Sequence, residues 1–278
     1  MAISVIISTY NSPDWLEKTL WGYKYQTFKN FEIIIADDGS TSETVDVIKR
    51  MQNEVDFLIK HVWHEDIGFR KCEIMNLAIQ ASTYDYLVFS DGDCIPRNDF
   101  LETHQRMRKP NHFLSGGYFK LPMHISQGID EQDISSQNCF ELTWLKEKGL
   151  KVSNIKSWKL TATKYQNFLN WITPTNASWN GHNASGWKKD ALAVNGFNEK
   201  MRYGAEDREF GERMMNKGVK PIQIRYSAIC VHLDHKRGYV NREDLKRNAA
   251  IRKVTKNKKL VWTNDGIVKS DAKDIEST

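Results

Sequence analysis

Cysteine is scarce in this chain. The 278 residues include only four, Cys72, Cys94, Cys139 and Cys230. They are far apart and match neither the spacing of a zinc site nor a dense disulfide framework. The cysteines are therefore predicted to be reduced thiols of a cytosolic protein.

Long apolar runs are also absent. No stretch approaches the roughly 20 apolar residues that span a bilayer, because Asp, Glu, Lys or Arg interrupts every hydrophobic run. The first five residues have no basic flank, no long apolar stretch and no small-residue cleavage site, so no export signal is predicted. The expected localisation is cytoplasmic. The length and the ordinary apolar content fit one large core, or one core with an attached lobe, and argue against disorder.

Charge is modest overall but unevenly placed, with a net value of +5. The segment from Lys236 to Lys259 is polybasic. Its other basic residues are Arg237, Arg242, Lys246, Arg247, Arg252, Lys253, Lys256 and Lys258, against Asp234, Glu243 and Asp244 nearby. Such a segment can meet anionic lipid, nucleic acid or an acidic glycan, or can be a solvated helix face. Aromatic residues are sparse there, Tyr239 and Trp262 being the main ones, so nucleic acid is not an expected partner. The expected partner of this segment is instead an anionic surface at the inner face of the membrane.

The first third alternates apolar strands with amphipathic stretches, which predicts a mostly parallel sheet covered by helices, an α/β fold. Strands are predicted at 3–8, 31–36, 55–62 and 84–90, with helices beginning at Ser12-Pro13 and at a capping box over 40–43, and a third at 71–80. Helices at 188–194 and 207–216, a helix stop at Asn195-Gly196 and a strand at 228–232 follow. Residues 122–174 predict a variable lobe of undetermined fold, and 263–278 a frayed tail.

Acidic groups follow two of the predicted strands. Asp91-Gly92-Asp93 comes directly after one of them, where two carboxylates in one crevice would repel unless a divalent cation joined them to a diphosphate. Asp37-Asp38-Gly39-Ser40 follows another, and one of its acids could bind a ribose or a uracil. Thr9-Tyr10-Asn11 ends the first strand, where Tyr10 could stack on a base. Because ligands bind beyond the carboxyl ends of parallel strands, these groups are expected to share a site. Gly68-Phe69-Arg70-Lys71 offers two cations to a diphosphate, or is a surface basic pair.

These motifs carry a family resemblance. Ser8-Thr9-Tyr10-Asn11, Asp37-Asp38-Gly39-Ser40, Glu65-Asp66 to Arg70 with Asn76, and Asp91-Gly92-Asp93 resemble the nucleotide-sugar motifs of the large inverting GT-A family 2 of bacterial glycosyltransferases. Ala184-Ser185-Gly186-Trp187, Asn195-Gly196-Phe197-Asn198 and Gly204-Ala205-Glu206-Asp207 resemble the carboxyl-terminal module of β-1,4-galactosyltransferases and chondroitin-type polymerases. The resemblance implies a GT-A-type, Rossmann-like nucleotide-sugar-binding fold with a small acceptor lobe. The domain division expected is 1–235 for the transferase (1–120 nucleotide-sugar-binding, 121–175 lobe, 176–235 acceptor and catalytic half) and 236–278 for a basic segment and tail.

The same resemblance implies roles for single residues. The donor-binding residues are Thr9, Tyr10, Asn11, Asp37, Asp38, Arg70, Asn76, Asp91, Gly92 and Trp187. The metal ligands are Asp93, His232 and Asp91, with His235 as a second choice for the histidine. Asp207 is the catalytic base, assisted by Glu206, because carboxylates at a helix start are held ionised by the helix dipole. The chain departs from the galactosyltransferase pattern at Gly204-Ala205, where those enzymes have a loop richer in glycine and tryptophan.

The activity implied is inverting transfer of Gal, GalNAc, GlcNAc or Glc from a UDP-sugar to a glycan or lipid-linked hydroxyl in surface polysaccharide or lipopolysaccharide synthesis. Mn²⁺ is the expected metal, with Mg²⁺ as the alternative, since imidazole is the better ligand for manganese. Two other classes compete. Nucleotidyltransfer needs a glycine- and arginine-rich loop after the first strand, which Ser8-Thr9-Tyr10-Asn11 is not. A non-enzymatic anionic-surface or nucleic-acid binding module would rest on the basic segment alone.

Overall fold

The structure is a computed structural model that describes residues 1–151, 154–161, 164–236 and 240–269. Arg237 and Tyr239 of the basic segment lie outside the described residues, and so does the predicted tail from residue 270 onward.

Ten strands and twelve α-helices are assigned within these ranges. The strands are β1 (Ile3–Thr9), β2 (Phe31–Asp37), β3 (Ile59–Trp63), β4 (Tyr86–Asp91), β5 (Cys94–Pro96), β6 (His112–Ser115), β7 (Gly117–Lys120), β8 (Ala184–Trp187), β9 (Lys220–Gln223) and β10 (Ile229–His232). The helices are α1 (Pro13–Lys24), α2 (Ser42–Glu54), α3 (Lys71–Ala81), α4 (Phe100–Met107), α5 (Met123–Gly128), α6 (Glu131–Ser135), α7 (Leu142–Glu147), α8 (Asn154–Thr161), α9 (Gln166–Ile172), α10 (Lys188–Ala193), α11 (Glu206–Asn216) and α12 (Arg242–Asn257).

The central sheet has seven strands in the order β3-β2-β1-β4-β8-β6-β9. All neighbours pair in parallel except β8, which is antiparallel to both β4 and β6. Thr9 of β1 lies opposite Asp37 of β2, and Ser8 lies opposite Asp91 of β4. This register brings the polar residues that follow the strands to one edge of the sheet. The predicted mostly parallel α/β fold is confirmed.

Alternate residues of the strands face two different cores, because successive side chains of a strand point to opposite faces. Ile3, Val5 and Ile7 pack on one face with α1, α2 and α4. Ile6 and Ile34 pack on the other face with α3 and α11. Strands that are covered on both faces consist of continuous apolar runs, which is why β1 and β2 could be identified from sequence.

A second, three-stranded sheet in the order β5-β10-β7 lies beside the first. In it β10 is antiparallel to β5, with His232 opposite Cys94, and parallel to β7. This pairing carries the end of β10 next to Asp93, which immediately precedes β5.

The lobe for which no fold was predicted contains the short helices α5 to α9. They cover a third apolar cluster that joins Ile125, Ile134 and Leu145 to Ile229 and Val231 of β10. The helices are short and their apolar positions are few, so the periodicity of the sequence does not reveal them.

Several local predictions were wrong. The hydroxyl of Ser12 does not cap α1. The capping box at 40–43 does not form either, since α2 begins after Thr41 and the Ser40 hydroxyl accepts a hydrogen bond from the Asn11 N–H at 2.9 Å instead. The third strand begins at Ile59 rather than at residue 55, because 55–58 form the connection from α2.

The segment 263–269 is also not frayed. Its backbone is bound by the buried side chain of Asn195, whose amide donates to Thr263 O and Val268 O and whose carbonyl accepts from the Val268 N–H. Ile267 packs over the turn at Gly196, which has φ +68° and leaves no room for a Cβ: one placed there would lie 2.9 Å from Ile267. We call residues 263–269 the strap.

Candidate active site

A cavity of about 660 Å³ opens at the carboxyl edge of the central sheet. It lies where β1, β2 and β4 end, where α3 and α11 begin and where β10 ends. Among its lining residues are Thr9, Tyr10, Trp15, Asp38, Phe69, Lys71, Asp91, Gly92, Asp93, Tyr118, Gly181, His182, Phe197, Tyr203, Glu206, Asp207, His232 and His235. Nine of the predicted donor, metal and catalytic residues, together with the second-choice His235, therefore share one cavity.

Asp91 forms the floor of the cavity together with Lys71, one of the two cations that the sequence offered to a diphosphate. Its Oδ1 accepts hydrogen bonds from Ser8 Oγ at 2.6 Å and from Lys71 Nζ at 2.8 Å. Burial alone would raise the pKa of Asp91, but the Lys71 ammonium and these hydrogen bonds outweigh it and hold that pKa below its usual range. Asp91 is therefore a stable anion, and one of its oxygens is already occupied by the chain itself.

Asp93 stands beside two imidazoles. Its Oδ2 lies 3.1 Å from His235 Nε2 and 3.7 Å from His232 Nε2. Ligand atoms of Asp93, Cys94 and His232 lie within 4.8 Å of one another. Nδ1 of His232 is buried and has no hydrogen-bond partner among the described residues. The two histidine rings are stacked, with centroids 5.5 Å apart. A carboxylate with imidazole nitrogens is a donor set that fits Mn²⁺.

Glu206 and Asp207 begin α11 across the cavity. Asp207 Oδ2 accepts the Gly181 N–H at 3.1 Å, and its Oδ1 accepts the Arg208 N–H at 2.7 Å. Glu206 Oε2 accepts the Gly204 N–H at 2.9 Å. Burial raises the pKa of both carboxyls above their usual values. A carboxylate with a raised pKa is a better proton acceptor, which suits a general base.

Asp38 lies at the other end of the cavity. Its Oδ1 is 2.7 Å from His64 Nε2 and its Oδ2 accepts the Arg70 N–H at 3.1 Å. Burial raises the pKa of this carboxyl. The Tyr10 ring is about half exposed, and its hydroxyl donates to Asp66 at 2.8 Å. The two side chains leave an aromatic face and a carboxylate at the place expected for a nucleoside.

Two predicted donor-binding residues make their hydrogen bonds to other residues of the chain. Asp37 is fully buried; it accepts the Ser40 N–H and pairs with His61, and it is not among the lining residues. Asn76 binds both the N–H and the C=O of Phe197, as well as Glu199. Asp37 therefore shapes the turn after β2, and Asn76 holds the Phe197 backbone; contact of either residue with the donor stays a prediction.

Three further predicted residues lie away from the cavity lining. Trp187 pairs with Tyr86 at the amino end of β4, the opposite edge of the sheet, because β8 runs antiparallel, and its indole N–H donates to Lys109 O. Asn11 uses its side chain to accept the Thr41 N–H. The Arg70 guanidinium faces Glu73 at 3.7 Å and Glu65 O at 3.5 Å. Of the basic pair at the start of α3, Lys71 rather than Arg70 reaches the floor.

His182 and Tyr118 are lining residues that the sequence did not indicate. Burial lowers the pKa of His182 to about 4, so its imidazole is neutral near pH 7. Its ring packs edge-on against Tyr118, with centroids 4.6 Å apart. A single histidine or tyrosine in an aperiodic stretch carries no local signal, and only the three-dimensional fold identifies these two.

Two segments of the chain that both contribute to the cavity match different protein families. Residues 4–118 match the family model described as glycosyl transferase family 2, and residues 175–236 match the one described as the N-terminal domain of galactosyltransferase. Chondroitin synthase of Escherichia coli is 26% identical over 224 residues, covering 78% of this chain and 32% of that protein. A validoxylamine A glucosyltransferase of Streptomyces hygroscopicus subsp. jinggangensis is 35% identical over 103 residues, covering 36% of this chain and 24% of that protein. The chain thus spans about a third or less of the length of these relatives. The predicted resemblance to both families is confirmed.

Solved structures agree in fold. The TarS 1–349 structure of Staphylococcus aureus in complex with UDP-GlcNAc has a TM-score of 0.61 at 16% identity, covering 93% of this chain and 69% of that one. The mannosyltransferase PcManGT of Pyrobaculum calidifontis in complex with GDP-Man and Mn²⁺ has a TM-score of 0.57 at 19% identity, covering 92% of this chain and 61% of that one. The fold is that of GT-A glycosyltransferases. Within the residues that the structure describes, no helix combines the length and apolarity needed to cross a bilayer.

Proposed function

We propose, from the two family modules that the chain joins, that it is a metal-dependent glycosyltransferase that moves a sugar from a UDP-sugar to a hydroxyl acceptor with inversion. The observation that carries the proposal is the position of Asp93, with its two histidines, across one cavity from the half-buried base candidate Asp207. Metal and diphosphate chemistry on one side and proton transfer on the other are what a single displacement at an anomeric carbon requires.

The metal part rests on Asp93 and His232, with His235 as a further candidate ligand. The buried Nδ1 of His232 lacks a hydrogen-bond partner among the described residues, so this part of the fold leaves one nitrogen of the ring unused. Asp91 is bound by Lys71 and Ser8 through one oxygen, which leaves the other for a cation or a ribose. A divalent cation held here would neutralise charge on the departing diphosphate. We propose Mn²⁺ rather than Mg²⁺, because imidazole is a better ligand for manganese.

The chain's own chemistry is proton removal from the acceptor. Two backbone N–H groups, of Gly181 and Arg208, orient the Asp207 carboxylate, and its raised pKa favours taking a proton. Glu206 holds the turn at Gly204, and after burial the neighbouring Asp207 carboxylate also contributes to raising the pKa of Glu206. Lys71 binds Asp91 on the metal side of the cavity, and Asp91 together with Glu206 and Asp207 on the base side raises the pKa of its ammonium. The ammonium is therefore charged and contributes positive charge at the centre of the cavity.

Donor and acceptor classes follow from the same cavity. Tyr10 and Asp38 are proposed to take the nucleoside of UDP. The sugar is Gal, GalNAc, GlcNAc or Glc, and the acceptor is a glycan or lipid-linked hydroxyl of a surface polysaccharide or lipopolysaccharide. The division at residue 235 into a transferase domain and a basic segment is part of the proposal.

The experiment is a panel of nucleotide sugars incubated with the protein in Mn²⁺, in Mg²⁺ and in EDTA, with release of the nucleotide measured. Metal-dependent hydrolysis of one UDP-sugar is the expected result. UDP and single-stranded RNA are compared in parallel binding assays. Binding of RNA without UDP would instead favour the non-enzymatic module.

We also propose that the basic segment docks the protein at the anionic inner face of the membrane. On α12 the side chains of Lys246 and Lys253 are exposed, and Lys258 is exposed just after it. None of the three has an ion-pair partner among the described residues. Each basic group near an anionic surface contributes about 1 kcal/mol.

A further inference from the structure

Helix α9 of the lobe has its polar side on the protein and its aromatic side in water. Asn170 fixes it to the turn before β10, donating to Ser227 Oγ at 2.8 Å and accepting the Tyr226 N–H at 2.9 Å. None of its residues is buried. The exposed fractions are 69% for Tyr165 at the N-cap, 53% for Phe168, 81% for Trp171 and 53% for Ile172.

These four side chains lie on one side of the helix. Residues three and four apart are neighbours on a helix surface, and 165, 168, 171 and 172 follow that spacing. The rings of Phe168 and Trp171 have centroids 6.1 Å apart. A helix of a soluble domain normally turns such a face inward. Here the face is turned outward, and a contiguous exposed patch of this kind marks an interaction surface.

The sequence that flanks α9 carries charge of one sign. From Lys148 to Thr173 it contains no Asp or Glu, and its basic residues are Lys148, Lys151, Lys156, Lys159 and Lys164. The partner should therefore combine negative charge with an apolar layer. Phospholipid headgroups above acyl chains have that combination, and Trp, Tyr, Phe and lysine are the residues that favour this interface.

We propose that the aromatic face of α9 inserts into the interface of an anionic phospholipid membrane. This goes beyond the basic segment, because it supplies an apolar anchor on a different part of the chain. Helix α8 of the same lobe contacts the cavity, since Lys159 donates to Tyr118 O at 2.9 Å and Tyr118 lines the cavity. Lipid binding by α9 does not depend on the proposed function.

The test is flotation of the whole protein with vesicles of phosphatidylcholine containing about a third phosphatidylglycerol. The double variant Phe168→Ala, Trp171→Ala should bind at least about tenfold more weakly than the parent. Leu58→Ala, which shortens an exposed apolar side chain outside the lobe, should leave binding unchanged. Because all of these side chains are exposed, the variants should melt at the parent temperature.

The depth to which α9 inserts into the membrane is measured in a separate experiment. The four native cysteines are all buried, so a cysteine introduced by Phe168→Cys can be labelled selectively with an environment-sensitive dye. Brominated lipid should quench that dye and should not quench one attached through Leu58→Cys. Parent-like flotation of the double variant, or an unquenched dye at 168, would overturn the proposal.

An acidic polysaccharide is the competing ligand. If soluble chondroitin sulfate bound the parent and not the double variant, while vesicles bound both equally, the face would belong to a glycan and the membrane proposal would be wrong. Hydrolysis of the UDP-sugar in solution should be the same in the parent and the double variant. If the parent itself did not hydrolyse any UDP-sugar, the transferase proposal would be contradicted, whereas the result on lipid binding would be unaffected.

Discussion

Among the residues that the structure describes, two backbone N–H groups bind the Asp207 carboxylate and no cationic side chain does. Asp207→Asn keeps the shape and cannot accept the proton, so kcat should fall by about 100-fold or more. UDP-sugar affinity should stay nearly intact, because the lost interaction belongs to the transition state. Kinetics paired with calorimetry measure both effects. Glu206→Gln is the matched control and should cost less, since its amide oxygen can still accept the Gly204 N–H. Near-normal turnover of Asp207→Asn would mean that the base is another group.

The pH dependence of turnover should report the same residue. Burial raises the pKa of Asp207, so the base is lost by protonation as the pH falls through a value above the ordinary carboxyl range of about 4. The acid limb of kcat should lie above that range in the parent and in Glu206→Gln. The residual activity of Asp207→Asn should lack it. An acid limb that persists unchanged in Asp207→Asn would assign the titration elsewhere.

The stereochemistry of transfer follows from the proposed mechanism, which has one base, Asp207, and assigns no residue as a nucleophile on the opposite face of the donor. An α-linked UDP-sugar should give a β-glycoside, because a single displacement inverts the anomeric carbon. The anomeric coupling of the product in the NMR spectrum decides this. An α-linked product would require a second, covalent step and would refute the mechanism.

Asp93→Ala should abolish metal-dependent transfer and weaken Mn²⁺-dependent binding of UDP, because it removes the carboxylate between the two histidines. Asp46→Ala, at an exposed position of α2, is the control for losing an acid. Titration of UDP with and without Mn²⁺ measures the effect. Activity of the parent that persists in EDTA would contradict a metal role altogether.

Sequence identified the acids of the site better than its other members. Asp38, Asp91 and Asp93 follow apolar strands, and a motif at a strand end fixes its own position. Trp187 belongs to a similar motif, but its strand runs antiparallel and carries it to the far edge. The direction of a four-residue strand is a tertiary property. Asn76 binds the Phe197 backbone, and a buried amide that binds backbone has the same sequence appearance as one that binds a ligand.

At the scale of elements, the strap 263–269 should stabilise the turn after α10. Ile267→Ala removes a partly buried side chain that packs on the second core cluster and should lower the free energy of unfolding by about 1–2 kcal/mol. Val268 is 58% exposed, so Val268→Ala should change it by less than about 0.5 kcal/mol. Denaturant unfolding of the two variants gives the comparison. If both variants lost equally little free energy of unfolding, the strap would lie on the surface without stabilising the turn after α10.

The lobe and the strap could not be predicted for the same reason. Helices α5 to α9 have five to eight residues each, too few for a 3.6-residue period to stand out. The strap is held by residues far from it in sequence. The Asn195 side chain binds its backbone, the Glu199 N–H donates to Asp265 O, and Ile267 packs on the second core cluster. The long, continuous apolar strands of the first third offered the clearer signal.

At the scale of the whole molecule, charge on α12 should govern binding to anionic vesicles. Reversal of Lys246, Lys253 and Lys258 to Glu should abolish salt-sensitive flotation. Arg252 and Lys256 are unsuitable for this test, because both bind Glu212 and their reversal would disturb the packing of α12 on α11. Equal binding of the parent to neutral vesicles would count against an electrostatic role.

The position of β10 has a consequence for synthesis of the chain. The second sheet has β10 at its centre, so β5 and β7 have no shared partner until residues 229–232 have left the ribosome. His232 arrives with that strand, long after Asp93. A nascent chain can therefore pair β1 to β4 early, while the proposed metal site still lacks His232. On the proposed mechanism, a ribosome-bound chain that has not yet released residues 229–232 should not hydrolyse UDP-sugar, and the released full chain should.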